Sequence, residues 1–411
     1  MPRIDPDRLL GELRALREIG ASGPGVVRPA FSPADMQARR WLERRFGQAG
    51  LEATIDGVGN VFGRSRNPGR ALLVGSHSDT QPTGGWLDGA LGVVYALEVV
   101  RALGEDDATR AFAVDAVSFQ DEESRFVGCL GSRSLTGALT PEMERGAVDR
   151  DGVTLEQALR EAGLAGAPRL RLARERYAGF LEAHIEQGPH LEEEGNQIGV
   201  VTGIVGLRGM RFTFRGQQNH AGTTMMSRRR DAASALYELA YRINQEFPQA
   251  AAERSVWTMG RARIEPNATS IVPGYAELDL QFRDASEAPL EAFEKIAERL
   301  VAEMNARGGV KIEAARARAP IAPTRMDENL QEHLAAAAAR HAPGKWMRMP
   351  SGAFHDAGIV AASLPAAMLF VPSIGGISHD FAEDSRDEDI VLGCRVLADA
   401  AASILAQANA R

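Results

Sequence analysis

The chain has 411 residues, of which 44% are hydrophobic and 25% charged, a composition typical of a globular protein with two or three domains. Its net charge of -8 argues against nucleic-acid partners, and the lack of any run of about 18 apolar residues argues against a membrane span. Two cysteines, Cys129 and Cys394, are too few for a disulfide framework, although they leave one bridge open. Together with an amino terminus that lacks an apolar signal segment, they favour a cytoplasmic location.

Strands and helices alternate through the first half of the chain. Apolar residues at helical spacing predict helices over residues 6–18, 32–49, 90–103, 132–146 and 154–163. Ser32 followed by Pro33 marks the start of the second helix, because serine caps a helix and proline suits its first position. Apolar or alternating runs predict a strand and a turn over residues 51–63 and strands over 70–75, 111–119 and 177–187. Alternation along the last strand puts Glu182, His184 and Glu186 on one face. The alternation of strands and helices predicts a mostly parallel sheet flanked by helices.

The order of elements changes after residue 207. The pattern then predicts a strand over 210–215, a helix over 230–247, strands over 255–264 and 275–282, a helix over 290–306 and a strand over 310–315. This βαββαβ order is that of a ferredoxin-like module. Helices over 328–340 and 387–408 and a strand over 364–372 rejoin the first sheet. The sequence therefore predicts an α/β protein with a main domain, residues 1–207 and 321–411, and an inserted ferredoxin-like domain, residues 208–320.

Polar side chains collect at the carboxyl ends of the predicted strands of the main domain. Three histidines and two aspartates lie there: His77, Asp79, Asp88, His184 and His379. Loops that follow neighbouring parallel strands converge on one edge of a sheet, where α/β proteins place ligands. Imidazole and carboxylate ligands suit zinc, manganese, cobalt or nickel, and a carboxylate beside a ligating histidine can fix its tautomer. A metal site is expected if these strands are neighbours, whereas a single histidine of this kind is more often structural.

Two adjacent carboxylates, Glu122 and Glu123, follow the strand over 111–119. Both cannot point inward from a regular strand, so one can bind a metal ion while the other acts as a general base on water. A bound dication lowers the pKa of its water toward about 7, which makes this chemistry available near neutrality. Taken alone, Asp121-Glu122-Glu123 is better explained as a solvated turn of an acidic protein.

Seven stretches of sequence occur in a characteristic order along nearly the whole chain. They are Gly75-Ser-His-Ser-Asp-Thr80, Gly85-Trp-Leu-Asp-Gly89, Asp121-Glu-Glu-Ser-Arg-Phe126, Glu182-Ala-His-Ile-Glu-Gln-Gly-Pro189, His220-Ala-Gly-Thr-Thr224, Ser351-Gly-Ala-Phe-His-Asp356 and Val371-Pro-Ser-Ile-Gly-Gly-Ile-Ser-His379. Together they resemble the amidase/hydantoinase-carbamoylase family of N-carbamoyl-L-amino acid hydrolases, allantoate amidohydrolases and β-ureidopropionases. That family belongs to the dinuclear-metal superfamily of aminoacylases and carboxypeptidases.

The resemblance implies two divalent metal ions per subunit. Their terminal ligands would be His77, Glu123, His184 and His379. Asp88 would bridge the two ions, Asp79 would lie behind His77, and Glu122 would be the general base. Zn²⁺ is the default ion, and Mn²⁺, Co²⁺ or Ni²⁺ would fit the same ligands.

The resemblance also implies residues that contact the substrate. In a homodimer, His220 would reach into the partner's active site and stabilise an oxyanion, and Arg283 would bind the substrate carboxylate. Without the resemblance, the first would be taken as a loop histidine and the second as one member of a surface ion pair. Gln187 and Gly375-Gly376 would line the same pocket, and His355 would line it or lie behind the metal loop.

Four positions depart from the family pattern and concern the substrate rather than the metal ions. Ser270 lies near the place of a substrate-contacting asparagine, and Met225 follows His-Ala-Gly-Thr-Thr where proline is usual. Gln281 replaces a common aspartate, and Phe354 replaces a small residue. The expected function is hydrolysis of the ureido bond of an N-carbamoyl-L-amino acid. Allantoate, a related ureido acid, a dipeptide or N-acyl amino acid substrate, and an inactive metal-binding paralogue remain alternatives.

Overall fold

The computed structural model describes residues 2–317 and 319–410. Its helices are α1 (Pro6–Arg17), α2 (Pro33–Gln48), α3 (Ala90–Glu105), α4 (Leu130–Thr136), α5 (Pro141–Arg145), α6 (Leu155–Glu161), α7 (His190–Glu193), α8 (Ala232–Glu246), α9 (Glu287–Ala306), α10 (Glu328–His341), α11 (Asp356–Val360) and α12 (Asp387–Asn409). Within the described residues, no helix combines the length and the apolar character that crossing a membrane requires.

The strands follow the same numbering along the chain. They are β1 (Ala21–Ser22), β2 (Gly25–Val26), β3 (Glu52–Ile55), β4 (Val61–Arg64), β5 (Ala71–His77), β6 (Ala113–Phe119), β7 (Tyr177–Ile185), β8 (Ile198–Ile204), β9 (Gly206–Arg215), β10 (Asn219–His220), β11 (Val256–Glu265), β12 (Ile271–Val272), β13 (Tyr275–Asp284), β14 (Lys311–Arg316), β15 (Thr324–Arg325), β16 (Trp346–Ser351) and β17 (Ala366–Val371). The chain divides into two compact units. Unit 1 runs up to Thr202 and resumes at Arg325, and unit 2 is Gly203–Thr324.

The large sheet has a parallel centre and antiparallel edges. Within the described residues it has nine strands, in the order β15-β8-β17-β7-β5-β6-β4-β3, with β16 paired to β8. The four central strands, β17, β7, β5 and β6, are mutually parallel, so their carboxyl ends lie at one edge. Every residue of β5, β6 and β17 is buried, because helices cover both faces. This arrangement confirms the predicted α/β class with a mostly parallel sheet.

The described part of unit 2 has a four-stranded antiparallel sheet in the order β11-β13-β9-β14. Strand β13 alternates along its length, with buried Ala276, Leu278, Leu280 and Phe282 on the face that packs on α8 and α9. Phe247 and Phe293 stack at 4.4 Å between ring centroids in this core. The element order βαββαβ is the predicted one. The small β10–β12 pair lies outside this sheet and carries part of the candidate site.

Some local predictions differ from the structure. The helix predicted over 132–146 is two helices, α4 and α5, because Gly137 takes a left-handed φ of 85° and Thr140 caps a new helix that begins at Pro141. The sequence pattern does not predict strands β8 and β16. Both cysteines are buried free thiols, so the single bridge that the sequence left open is absent.

Candidate metal centre

The carboxyl ends of the parallel strands bring the predicted ligands together. His77 is the last residue of β5, and His184 is the second-last residue of its neighbour β7. Glu122 and Glu123 follow β6, which pairs with the other side of β5. His379 lies in the loop after β17, the strand that pairs with β7. The adjacency of strands that the metal hypothesis required is therefore present.

One ligand group consists of His77, Asp88 and His184, whose ligand atoms lie within 4.8 Å of one another. Asp88 Oδ1 is 3.0 Å from His184 Nε2 and 3.7 Å from His77 Nε2. The Nδ1 atoms of His77 and His184 face the main-chain oxygens of Asp79 and Ile185 at 3.0 and 2.9 Å. Since a carbonyl oxygen only accepts, each Nδ1 carries a hydrogen, and Nε2 is the ring nitrogen that faces Asp88 and that a metal ion would bind in place of a proton.

A second ligand group consists of Asp88, Glu123 and His379. Here Asp88 uses its other oxygen, because Oδ2 lies 3.2 Å from His379 Nε2. His379 Nε2 is also 3.6 Å from Glu123 Oε1. Asp88 therefore offers one carboxylate oxygen to each group, which is the geometry required of a carboxylate that bridges two ions.

Glu122 lies beside the first group without belonging to it. Its Oε2 is 3.8 Å from His77 Nε2, and its Oε1 is 3.8 Å from the Cys129 thiol. The two glutamates diverge because Asp121 and Ser124 on either side take positive φ angles of 55° and 64°. The Asp121 carboxylate holds this turn by accepting three main-chain N–H groups, from residues 125, 126 and 127. The sharp turn thus separates two adjacent carboxylates into different positions.

Asp79 supports both ligand groups from behind. Its main-chain oxygen faces His77, and its Oδ2 accepts the Glu123 N–H at 3.2 Å. The fully buried Arg39 guanidinium lies 3.7 Å from Asp79 Oδ1. Gln81 donates to Glu123 Oε2 at 2.7 Å. The sequence does not predict these roles for Arg39 and Gln81, since Arg39 lies on α2, far along the chain, and a lone glutamine gives no motif.

Burial and mutual charge shift the pKa values of these groups strongly. Burial lowers the pKa of His77 to about 4, so this imidazole is neutral. Burial and then the neighbouring Glu123 charge raise the pKa of Glu122 well above its usual value. For Asp88, burial would raise the pKa, but hydrogen bonds from His184 and His379 outweigh it and hold the pKa well below its usual value. Groups of such different proton affinity in one cleft are typical of catalytic sites.

The donor set fits divalent metal ions. Among the buried side-chain atoms of the described chain, Glu123 Oε1 and Asp79 Oδ1 have no hydrogen-bond partner. An unpaired carboxylate oxygen is costly in a buried site, and a cation at the second ligand group would satisfy Glu123 Oε1. Mixed nitrogen and oxygen donors suit zinc and its neighbours in the first transition series.

The remaining predicted residues of unit 1 lie near the centre to different degrees. Gln187, with a φ of 59°, directs its side-chain amide to Asp88 Oδ2 and His379 Nε2, at 3.2 and 3.3 Å. The 375–376 turn instead contacts Glu192 and the main chain of residues 188–189. Buried His355 stacks edge-on against His184 with centroids 4.6 Å apart, a place behind the metal loop.

In unit 2, His220 and Ser270 are neighbours. His220 in β10 pairs with Ile271 in β12, and the Ala221 N–H donates to the Ser270 main-chain oxygen at 2.9 Å. His220 Nδ1 accepts the N–H groups of residues 222 and 223 at 3.0 and 3.2 Å. The imidazole is therefore held with its hydrogen on Nε2, and His220 is exposed. Arg283 lies on a different strand, β13, where it donates to Gln281 Oε1 at 3.4 Å.

Comparison with known proteins identifies the family. The model of peptidase family M20/M25/M40 matches residues 73–403. The chain belongs to this family. The N-carbamoyl-L-amino acid amidohydrolase of Geobacillus stearothermophilus is 35% identical to it over 406 residues, which cover 96% of this chain and 97% of the relative. The allantoate amidohydrolase of Bacillus subtilis is 34% identical over 397 residues, 93% of this chain and 94% of the relative.

A solved structure agrees with these relatives. The amidase of the hydantoinase/carbamoylase family from Burkholderia phymatum has a TM-score of 0.94 and 53% identity, with 99% of each chain covered. The predicted resemblance to this group of M20 proteins is confirmed. The chain is an amidohydrolase, acting on carbon–nitrogen bonds of non-peptide substrates, and membership of the family implies divalent metal ions.

Proposed function

We propose that this M20 amidohydrolase cleaves the ureido carbon–nitrogen bond of an N-carbamoyl-L-amino acid and releases the amino acid, CO₂ and ammonia. The observation that carries the proposal is the sharing of Asp88 by two ligand groups, with the Glu122 carboxylate beside them. The Geobacillus stearothermophilus relative, whose name gives this substrate class, supports it across 96% of the chain.

The proposed centre holds two divalent ions per subunit, which when bound polarise the ureido carbonyl group and lower the pKa of water. His77, His184, Glu123 and His379 are the proposed terminal ligands, and Asp88 is the proposed bridge. We propose Zn²⁺ as the ion, and Mn²⁺, Co²⁺ and Ni²⁺ are compatible with the same donors.

Glu122 is the proposed general base. Its carboxylate takes a proton from the attacking water and returns it to the leaving nitrogen. Burial and the neighbouring Glu123 charge raise the pKa of this carboxyl, which makes its ionised form a stronger proton acceptor. The loop turn at Asp121 keeps it apart from the metal-binding Glu123.

The inserted domain, residues 208–320, is proposed as the dimerisation and lid domain of a homodimer, and residues 1–207 and 321–411 as the catalytic domain. His220 would donate its Nε2 hydrogen to the oxygen that gains negative charge, in the partner's active site. The two N–H groups on Nδ1 support this role, because they leave the hydrogen on Nε2. Arg283 would pair with the substrate carboxylate, with Ser270, Gln187 and the 375–376 turn lining the same pocket.

Allantoate is the second candidate substrate, because the Bacillus subtilis allantoate amidohydrolase is only one percentage point less identical than the N-carbamoyl relative. Four departures from the family pattern concern positions proposed to face the substrate: Ser270, Met225, Gln281 and Phe354. Because they leave the substrate open, β-ureidopropionate is a further candidate. Dipeptides and N-acyl amino acids are more distant. An inactive metal-binding paralogue would have no need of Glu122. A cytoplasmic location stays a prediction.

The test is a substrate screen after metal reconstitution. Apo-protein is loaded with Zn²⁺, Mn²⁺ or Co²⁺, and ammonia release is measured from N-carbamoyl-L-amino acids, β-ureidopropionate and allantoate. We expect the highest kcat/KM for an N-carbamoyl-L-amino acid. Faster turnover of allantoate would replace the proposed substrate, and no ammonia from any ureido acid with any of these ions would contradict the proposal.

A further inference from the structure

Glu383 is a buried carboxylate that the proposed mechanism does not use. Only 1% of its surface is exposed, and its oxygens are held by hydrogen bonds from neutral groups. Its Oε1 accepts the main-chain N–H groups of Leu87 and Asp88 at 3.2 and 3.0 Å. Its Oε2 accepts the Ser378 hydroxyl at 2.8 Å. One side chain therefore joins two loops that are almost 300 residues apart in the chain.

The loop around Asp88 is shaped to admit this carboxylate. A Cβ atom on Gly85 would lie 1.9 Å from Glu383 Oε1, so only glycine leaves room for it. The next residue, Trp86, donates its indole N–H to Asp384 at 3.2 Å and adds a second link between the same two loops. Residues of both loops therefore contribute to this contact.

The two loops carry the residues that must meet at the second metal position. Asp88 lies two residues before α3, and His379, with a φ of 55°, lies in the loop before α12, so neither residue lies within a strand or a helix. Their ligand atoms nevertheless lie 3.2 Å apart. The Glu383 hydrogen bonds end on the Asp88 N–H and on the residue before His379. The Gln187 amide contacts the same two side chains, whereas Glu383 holds the main chain at Asp88 and the Ser378 hydroxyl next to His379.

We infer that Glu383 is a positioning residue that fixes Asp88 against His379 and so forms the metal position shared by Asp88, Glu123 and His379. This inference rests on the proposed metal centre and concerns ion binding, not the substrate. The other ligand group consists of His77, Asp88 and His184, and two of these three residues, the histidines, lie at strand ends. It should depend less on Glu383.

Asp56 provides a matched control. It is also buried, and its Oδ1 accepts two N–H groups of its own loop, from Val58 and Asn60, at 3.1 and 2.9 Å. Its Oδ2 accepts the N–H of Leu170 in a distant segment at 3.2 Å. The hydrogen-bond pattern is that of Glu383, but none of the joined segments carries a proposed ligand.

The experiment is calorimetric titration of the apo-protein with Zn²⁺ alone, for wild type, Glu383→Ala, Glu383→Gln and Asp56→Asn. For Glu383→Ala we expect the weaker of the two Zn²⁺ affinities to fall about 10–100-fold, with the tighter one changed much less. Glu383→Gln keeps one acceptor oxygen and should give an intermediate loss. Asp56→Asn should leave both affinities unchanged even where it lowers the melting temperature.

The inference is wrong if both Glu383 variants bind two Zn²⁺ ions with the wild-type affinities. It is also wrong if Asp56→Asn weakens Zn²⁺ binding as much as the Glu383 variants do. If Glu383→Ala does not fold, Glu383→Gln decides the question. Because Zn²⁺ binding is read without substrate, wrong substrate assignment leaves the result unaffected. Failure of the wild type to bind two Zn²⁺ ions would instead contradict the proposed centre itself.

Discussion

The proposed metal centre depends on one carboxylate, Asp88, that belongs to both candidate ligand groups. Main-chain oxygens accept hydrogen bonds from the Nδ1 atoms of His77 and His184. Each ligand group has three residues, so the loss of one terminal ligand would leave two ligands in that group. Asp88 has no substitute, because its two oxygens point in different directions. Substitution here should therefore have a larger effect on ion content than substitution of a terminal ligand.

We expect Asp88→Ala to empty or disorder both ion positions. His379→Ala, which removes a ligand from the second group only, is the comparison and should retain about one tightly bound ion. Metal content after gel filtration, measured by atomic emission, distinguishes the two variants. Two bound ions in Asp88→Ala would show that the bridging role is wrong.

Glu122→Gln should remove the proposed general base and leave the proposed ligands in place. The amide cannot accept the proton of water, so we expect kcat to fall by roughly 10²–10⁴-fold. KM and ion content should stay near their wild-type values, since Glu122 is outside both ligand groups. Steady-state ammonia release and metal analysis of the same sample are the measurements. Near-normal turnover would assign the base to another residue.

His220→Ala tests the proposed oxyanion donor. Loss of one preorganised donor costs about 10²–10³-fold in kcat. Ion content should not change, because His220 belongs to neither ligand group. The His220→Gln variant retains a side-chain N–H donor and should recover part of the rate. Equal kcat for wild type and His220→Ala would contradict the role.

The candidate ligands are predictable from sequence because they follow apolar strands, and strand pairing makes such residues neighbours. The bonds that orient them are not. Glu383 lies almost 300 residues from the N–H groups it binds, and Arg39 reaches Asp79 from a different helix. For Glu186 the sequence predicts a position that the structure does not have. Alternation along β7 predicts it on the same face as His184, but β7 ends at Ile185. Its carboxylate instead accepts the first N–H groups of α7.

At the scale of elements, helix α3 packs against three of the four central strands of the large sheet, β5, β6 and β7. It is apolar around almost its whole circumference, and twelve of its residues are buried. Such a helix can lie close to the sheet only where its side chains are small. Gly92 is that place, because a Cβ there would lie 2.3 Å from the Ala183 main-chain oxygen and 2.7 Å from the Ser76 Cβ atom.

Gly92→Ala should therefore destabilise unit 1, by about 1–3 kcal/mol, since the added methyl group forces α3 away from the strands. Gly104 in the same helix is exposed and has no atom within 4 Å of an added Cβ. Gly104→Ala should be neutral or stabilise by up to about 1 kcal/mol, because alanine favours helix. Urea unfolding of both variants checks the pair, and similar free energies of unfolding would contradict the packing argument.

The elements themselves are largely readable from periodicity, and the failures have specific causes. The bounds predicted for long amphipathic or apolar helices such as α3 and α12 lie within a few residues of the observed ones. The helix predicted over 132–146 is wrong because a glycine turn and a new helix cap interrupt a continuous helical pattern. Strands β8 and β16 escape prediction because the first contains glycine and the second carries a proline and an arginine, so neither shows a clear apolar run.

At the scale of the whole molecule, the two compact units have separate cores and different relations to metal ions. The aromatic core of unit 2 includes none of the candidate ligands. In the described part of the chain, every residue of both ligand groups belongs to unit 1. Ion binding should therefore stabilise unit 1 directly, because a ligand that binds only the native state stabilises it by mass action.

Removal of metal ions tests this difference between the units. At free Zn²⁺ about 100 times its Kd the gain is about 2.7 kcal/mol, which corresponds to a rise on the order of 5 °C in the melting temperature of a unit of this size. Calorimetry of Zn²⁺-loaded and chelator-treated protein measures the shift, and hydrogen exchange locates it. Slower exchange should appear in the loops that carry Asp88 and His379, with little change in β9 and β13. The Asp88→Ala variant should show no Zn²⁺-dependent rise. An equal rise in the melting temperature of that variant, or slower exchange confined to unit 2, would show that the ions bind elsewhere. Stabilisation at the proposed centre requires Asp88, because both ligand groups share its carboxylate.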